Sequence, residues 1–212
     1  MGIIGVVAAL TLPNLNSSTG DKEKVAKVKK IYSNLEDAYG RVEAVYGPVD
    51  EWANEFYGNS GVFVNRMTDF IKVTKYLDYR SLPSGAFANH NTGNDNTMFI
   101  LSDGTAICFF SNASSGSQNS IAYVDIDGLN KGQSKLGYDI FEFIIYDNQT
   151  STNRITPAGL DSTDQKLTDD CFKTGKNCTA WIVQTGNMDY LKATNGKCTN
   201  NVQLSWSNTG CK

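Results

Sequence analysis

The sequence predicts an α+β fold, with a long N-terminal helix laid across an antiparallel β-sheet and a disulfide-stapled C-terminal loop region closing the chain. Three observations carry the prediction. Val25, Val28, Ile31, Tyr32, Leu35, Ala38, Tyr39, Val42 and Val45 recur at three- and four-residue steps, which is the period of an amphipathic helix. Two apolar, β-prone runs at 97–102 and 105–110 are joined by Asp103-Gly104, a strong short hairpin signature because glycine accepts the positive φ of a tight turn. Four of the five cysteines fall within the last 42 residues, a stretch rich in Gly, Asn, Thr and Lys with little to bury.

Taken in order, residues 2–15 are almost unbroken apolar sequence, with no charge before Asp21. Residues 21–46 form the amphipathic stem, and Gly47-Pro48 ends it. Between them, the interval from Pro13 to Gly20 reads as a kink or locally melted segment, with Ser18, Thr19 or Asp21 available to cap a second helix. The chain therefore divides into an N-terminal helix, 1–46, and a globular head, 47–212. Within the head, Phe63, Met67, Phe70, Ile71, Thr74 and Leu77 are spaced helically, so a short helix is expected over 63–77, followed by a loop over 78–96. After the hairpin, residues 111–119 read as a flexible turn, and 120–126 and 140–146 as third and fourth strands. From Thr150 onward the chain reads mostly as loop, apart from a short helix over 179–185 that ends at Gly186 and is anchored by Trp181 and Ile182.

At 212 residues, 40% hydrophobic and 19% charged, the chain suits one domain plus its stem. Its polarity comes largely from Asn, Ser and Thr, as in secreted or surface proteins. A net charge of −3 gives no reason to expect nucleic acid. The lysines at 22, 24, 27, 29 and 30 alternate with Asp21 and Glu23 and read as a solvated helix face. Cys171, Cys178, Cys198 and Cys211 point to disulfides and an oxidising compartment. Of the three possible pairings, Cys171–Cys178 with Cys198–Cys211 closes the shortest loops, and the spacing alone does not choose among them. Cys108 sits in an apolar strand and reads as a buried thiol. A zinc site would want a CxxC, and none occurs.

One stretch merits a metal hypothesis. Asp125, Asp127, Asn130 and Asp139 place hard oxygen ligands in a glycine-rich loop able to fold back on Ca²⁺. The loop is not an EF-hand, since its glycine falls at the fourth place and no closing glutamate stands at the twelfth. The alternative is an Asp-Gly turn whose carboxylates accept backbone N–H bonds. His90 is the only histidine, in an Asn-rich loop, and no nucleophile elbow or phosphate loop occurs, so no catalytic residue is assigned and the chain is not expected to be an enzyme. Trp52, Tyr57, Tyr76, Tyr79, Tyr190 and Trp206 could line a contact surface or belong to the core of a small head.

The opening GIIGVVAALTLPNL, followed directly by the amphipathic stem, resembles the inner part of the N-terminal segment of type IV pilins and type II secretion pseudopilins. The match spans about fourteen residues and continues into the stem only as a pattern. It implies a pilin-like fold and a filament subunit that assembles through Ile3, Ile4, Gly5, Val6, Val7, Ala8, Ala9, Leu10, Leu12 and Pro13. It further implies residence in a bacterial inner membrane before assembly, then at the cell surface or in the periplasm. The partners it implies are a prepilin peptidase, an inner-membrane platform protein and a cytoplasmic ATPase. Some pseudopilins hold calcium in the sheet region, which adds to the hypothesis for the loop at 125–139. The chain departs from the family in opening at Met1 already inside the apolar run. The family's basic leader, cleavage site and membrane-buried glutamate are therefore expected upstream of it, and ten apolar residues fall short of the roughly 20 that cross a bilayer. The alternative reading is a secreted surface- or carbohydrate-binding module with a residual export signal.

Overall fold

The stem's apolar stripe needs a partner layer, and the strands supply it. A computed structural model describes residues 3–52, 60–89, 96–114, 117–129, 131, 134–147 and 155–211. Helix α1 runs over Ile3–Tyr46, through both Pro13 and Gly20, so the interval between them is helical and not melted. Val25, Val28, Ile31, Leu35, Ala38, Tyr39 and Val42 are buried along one face, as the periodicity predicts. Val45 is not among them. It is 62% exposed, because α1 ends one residue later, beyond the last layer it could pack against.

Helix α2 (Val49–Trp52) and helix α3 (Ser60–Thr68) follow. The helix expected over 63–77 is half right. Phe63, Val64 and Met67 are buried in α3, but after a turn closed by Phe70 N–H and Ile71 N–H on Met67 O the chain enters strand β1, Val73–Leu77. Val73 and Thr74 are β-branched, and the neighbouring strand offers an open edge that this segment pairs with. The helical spacing of Thr74 and Leu77 is coincidental.

Among the described residues, six strands form one antiparallel meander in the order β1-β2-β3-β4-β5-β6. Strand β2 covers Thr97–Leu101 and β3 covers Ala106–Ser114. Between them Gly104 takes φ +86°, its N–H bonds Leu101 O at 3.0 Å, and Leu101 N–H bonds Thr105 O at 2.8 Å, so the predicted hairpin forms with glycine at the left-handed position. Strand β4 (Ser117–Asp125) pairs with β3 as far as Ser114↔Ser117, so the strands continue through most of the segment expected to be a flexible turn. Ladder pairing needs only backbone, and the polar Ser and Asn residues do not interrupt it. Strand β5 is Ile140–Asp147, and β6 (Thr156–Pro157) is a two-residue edge strand, a place where proline is tolerated.

The two faces of the sheet are covered differently. Phe99, Ile107, Phe109, Ala122, Val124, Phe141, Phe143 and Ile145 face α1, with Tyr32 stacked on Phe143 at 5.8 Å between ring centroids. Met98, Ala106, Cys108, Tyr123 and Ile140 face the other way, under Ala86 and Phe87 of the segment that follows β1. In that segment Phe87 (φ 50°), Ala88 (φ 55°) and Asn89 (φ 59°) are all left-handed. Each L-residue held so costs roughly 1–2 kcal/mol, less for asparagine.

Helix α4 (Asp164–Lys166), a π-helical turn over Leu167–Phe172, helix α5 (Thr179–Thr185) and a 3-10 turn over Asp189–Lys192 follow in the C-terminal region. Helix α5 ends at Gly186 in the left-handed conformation, as predicted. Disulfides join Cys171 to Cys178 and Cys198 to Cys211. Of the three pairings open to the sequence, these are the ones that close the shortest loops.

Candidate functional site

Two regions hold the assembly and metal candidates singled out by sequence. The first is α1. Its stem is fastened to the head by its apolar stripe and by polar ties on either side. Lys30 pairs with Asp103 of the β2–β3 hairpin at 3.8 Å, and Asp21 pairs with Lys192 at 3.7 Å. The residues to which the resemblance assigns assembly, Ile3, Ile4, Gly5, Val6, Val7, Ala8, Ala9, Leu10, Leu12 and Pro13, share the backbone of α1, and their side chains lie outside the described residues. Among the described residues no helix is long and apolar enough to cross a membrane.

The second region is the loop between β4 and β5, built as two carboxylate-capped turns. Asp125 Oδ1 accepts from Gly128 N–H at 3.0 Å, and Asp139 accepts from Ser134 N–H at 2.9 Å and Lys135 N–H at 2.5 Å. Both aspartates are fully buried. Among the described residues, Asp125 Oδ2 and Asp127 Oδ1 are buried and no donor N–H or O–H reaches them. Burial, then the neighbouring Asp127 carboxyl, push Asp125 up to about 7, against the pull of Gly128 N–H. Lys24 reaches in from α1: its ammonium donates to Tyr138 O at 3.0 Å and sits 3.2 Å from the centre of the Tyr138 ring. Burial lowers the Lys24 pKa, while Asp139, Asp127 and Asp21 oppose that shift.

Calcium would want six to eight oxygens. Asn130 lies outside the described residues, and among those described no three His, Cys, Asp or Glu side chains are grouped to hold a metal ion. Asp139 commits both oxygens to backbone. Among the described residues the Lys24 ammonium lies beside this loop, and the capping bonds are of the kind that an Asp-Gly turn makes.

A pH dependence follows. The folded chain holds the Asp125 proton more firmly than the unfolded chain, so this group's contribution is full below the ordinary value of 3.8 and is lost progressively as pH rises from there through about 7. Asp127→Asn removes the neighbouring charge and supplies an amide donor. It is expected to raise the melting temperature at pH 8 and to change it little at pH 4.5, as read by circular dichroism. A variant less stable than wild type at pH 8 would mean that the Asp127 charge is favourable where it stands. Millimolar Ca²⁺ that stabilised only the wild type would assign these oxygens to a cation.

The remaining candidates are dispersed. His90 and Tyr57 lie outside the described residues, as does the Trp52 side chain. Trp206 Nε1–H donates to Ser162 O at 2.6 Å, and the buried Tyr190 hydroxyl donates to Gly137 O, so both are anchors of the C-terminal region. Tyr76 on the edge strand is 53% exposed. Cys108 belongs to neither disulfide, and burial pushes its thiol up to about 12. A shallow cleft of about 260 Å³ lies between α1 and the hairpin, lined by Lys30, Asn34, Asp37, Lys72 and Asp103 over Phe70 and Ile71. Its charges are mixed in sign and solvated, which selects no ligand class. Sequence reasoning missed Lys24 as the partner of the acidic loop. The sequence separation of 114 from Lys24 to Tyr138 leaves no local signal of it.

Compared with known proteins, the chain matches no family model, no curated protein and no solved structure.

Proposed function

We propose that the chain is a structural subunit of a filament, of the type IV pilus or type II secretion pseudopilus kind, which polymerises through residues 3–13 of α1. The observation that carries this reading is the length of α1 relative to the sheet it covers. Its 44 residues amount to about 65 Å of helix, whereas the longest strands, nine residues each, span about 30 Å. A helix twice the length of its supporting layer has more surface than one head can bury. The excess falls at the end that reads IIGVVAAL.

Gly5, Ala8 and Ala9 among branched residues would let helices from neighbouring copies approach closely, the packing that small residues permit in an apolar filament core. The head, braced by its sheet and two disulfides, would form the outer coat. An inner membrane before assembly and a peptidase, platform protein and ATPase as partners follow from the N-terminal resemblance. The test is self-association. In sedimentation and electron microscopy without detergent the full chain is expected to form large assemblies. Val6→Asp/Ala9→Asp is expected to be monomeric with an unchanged melting temperature, because the head is untouched. A full chain that stays monomeric at its solubility limit, with or without detergent, overturns the reading.

A further inference from the structure

Among the described residues, the segment that covers the outer sheet face, 78–89, hydrogen-bonds within itself. Ser81 N–H and its hydroxyl donate to Asp78 O, Arg80 N–H to Asp78 Oδ1, Leu82 N–H to Tyr79 O, Ala86 N–H to Pro83 O, and Ala88 N–H to Gly85 O. Its hold on the sheet is apolar. Phe87 is fully buried and Ala86 nearly so, against Met98, Ala106, Cys108, Tyr123 and Ile140. Against that hold stands the left-handed backbone at Phe87, Ala88 and Asn89, which is relieved if the segment comes away. Among the described residues, moving it breaks no ladder pairing and keeps the bonds of 78–86, giving up only Ala88 N–H to Gly85 O as the left-handed turn relaxes, so it belongs to the low-stability end of the structure.

We propose that residues 78–89 are a strap that lifts from the outer sheet face as a unit, short of global unfolding, with Phe87 as its plug. What it uncovers is an apolar strip centred on Cys108, whose cross-strand partners are Met98 and Tyr123. The strap's state can be read at Cys108. Under the plug the thiol is held protonated by burial and is inert, and once wetted it reacts as an ordinary cysteine.

The experiment treats the native full chain, disulfides intact, with a thiol-specific reagent across low urea concentrations. The strap predicts a labelling rate nearly flat in urea, because little surface is exposed when it opens. Phe87→Ala should accelerate labelling about 100-fold by removing the plug. Ala88→Gly, which relaxes the left-handed turn without altering the plug, should slow it about threefold. Labelling that rises with urea at the slope of global unfolding, in wild type and in Ala88→Gly alike, overturns the proposal. Should Phe87→Ala fail to fold, the urea slope and Ala88→Gly decide it between them.

Discussion

Trp181→Ala is expected to lower the unfolding free energy by about 3–5 kcal/mol, the range for deleting a fully buried aromatic side chain. For a chain of this size that corresponds to a fall in melting temperature on the order of 10 °C. Trp181 has no exposed surface. Its ring meets Phe172 edge-on at 5.1 Å and Trp206 at 5.5 Å, joining α5 to the π-helical turn and to the terminal segment. Its indole N–H donates to Asn187 Oδ1 at 3.2 Å, and Asn187 also takes the Asp189 N–H and gives its amide to Thr209 O. The substitution therefore leaves a cavity and removes a donor from a side chain that itself orders the last 25 residues. Trp181→Phe keeps most of the packing and loses the hydrogen bond, so it should cost about 1–3 kcal/mol. Urea denaturation followed by far-ultraviolet circular dichroism separates the outcomes. A midpoint that falls at constant slope supports one cooperative head. A loss below about 1 kcal/mol would mean that the C-terminal region unfolds independently of the sheet.

The parts of the fold legible in sequence are those fixed by short-range periodicity. The buried face of α1 from Val25 to Val42, the turn at Gly104, the strands around Ile107, Val124 and Phe143, and the end of α5 at Gly186 were all readable from residues within a few positions of one another. What escaped depends on partners far along the chain. Strand β1 exists because β2 offers it an edge, although its residues also satisfy a helical spacing. Strand β6 is two residues long and carries no pattern of its own. The strap over the outer face could not be foreseen, since the left-handed turn at Phe87 and Ala88 runs against local preference and is held by burial under tertiary contact. At the acidic loop the residue types were visible. Whether Asp139 would spend its oxygens on backbone N–H groups or on an ion depended on how residues 134–139 turn, and on Lys24 arriving from a helix more than 100 residues away.

Removing both disulfides should cost roughly 5 kcal/mol, a large part of the 5–15 kcal/mol typical of a whole domain. The closed loops have sequence separations of 7 and 13, for which loop-closure entropy gives about 2.4 and 2.9 kcal/mol respectively. The loops do not overlap, so the two terms should nearly add. Their surroundings differ. Cys171, Cys178 and Cys198 are all buried in the main core, so Cys171→Ala/Cys178→Ala loses packing there at both ends and the second pair at one. Cys211 is half-buried, and its N–H donates to Asp189 Oδ2 at 3.0 Å, while Lys192 bridges Asp189 to Asp21 of α1. Cutting Cys198–Cys211 therefore releases the tail from the stem as well as from itself. The expected pattern is a global loss of stability in the first double variant and, in the second, early proteolytic cleavage within 187–211 with the sheet still folded. Urea midpoints and limited proteolysis of both double variants and of the quadruple variant test this. A quadruple variant within about 1 kcal/mol of wild type would show that apolar packing around Trp181 holds the C-terminal region by itself, with the cross-links contributing nothing.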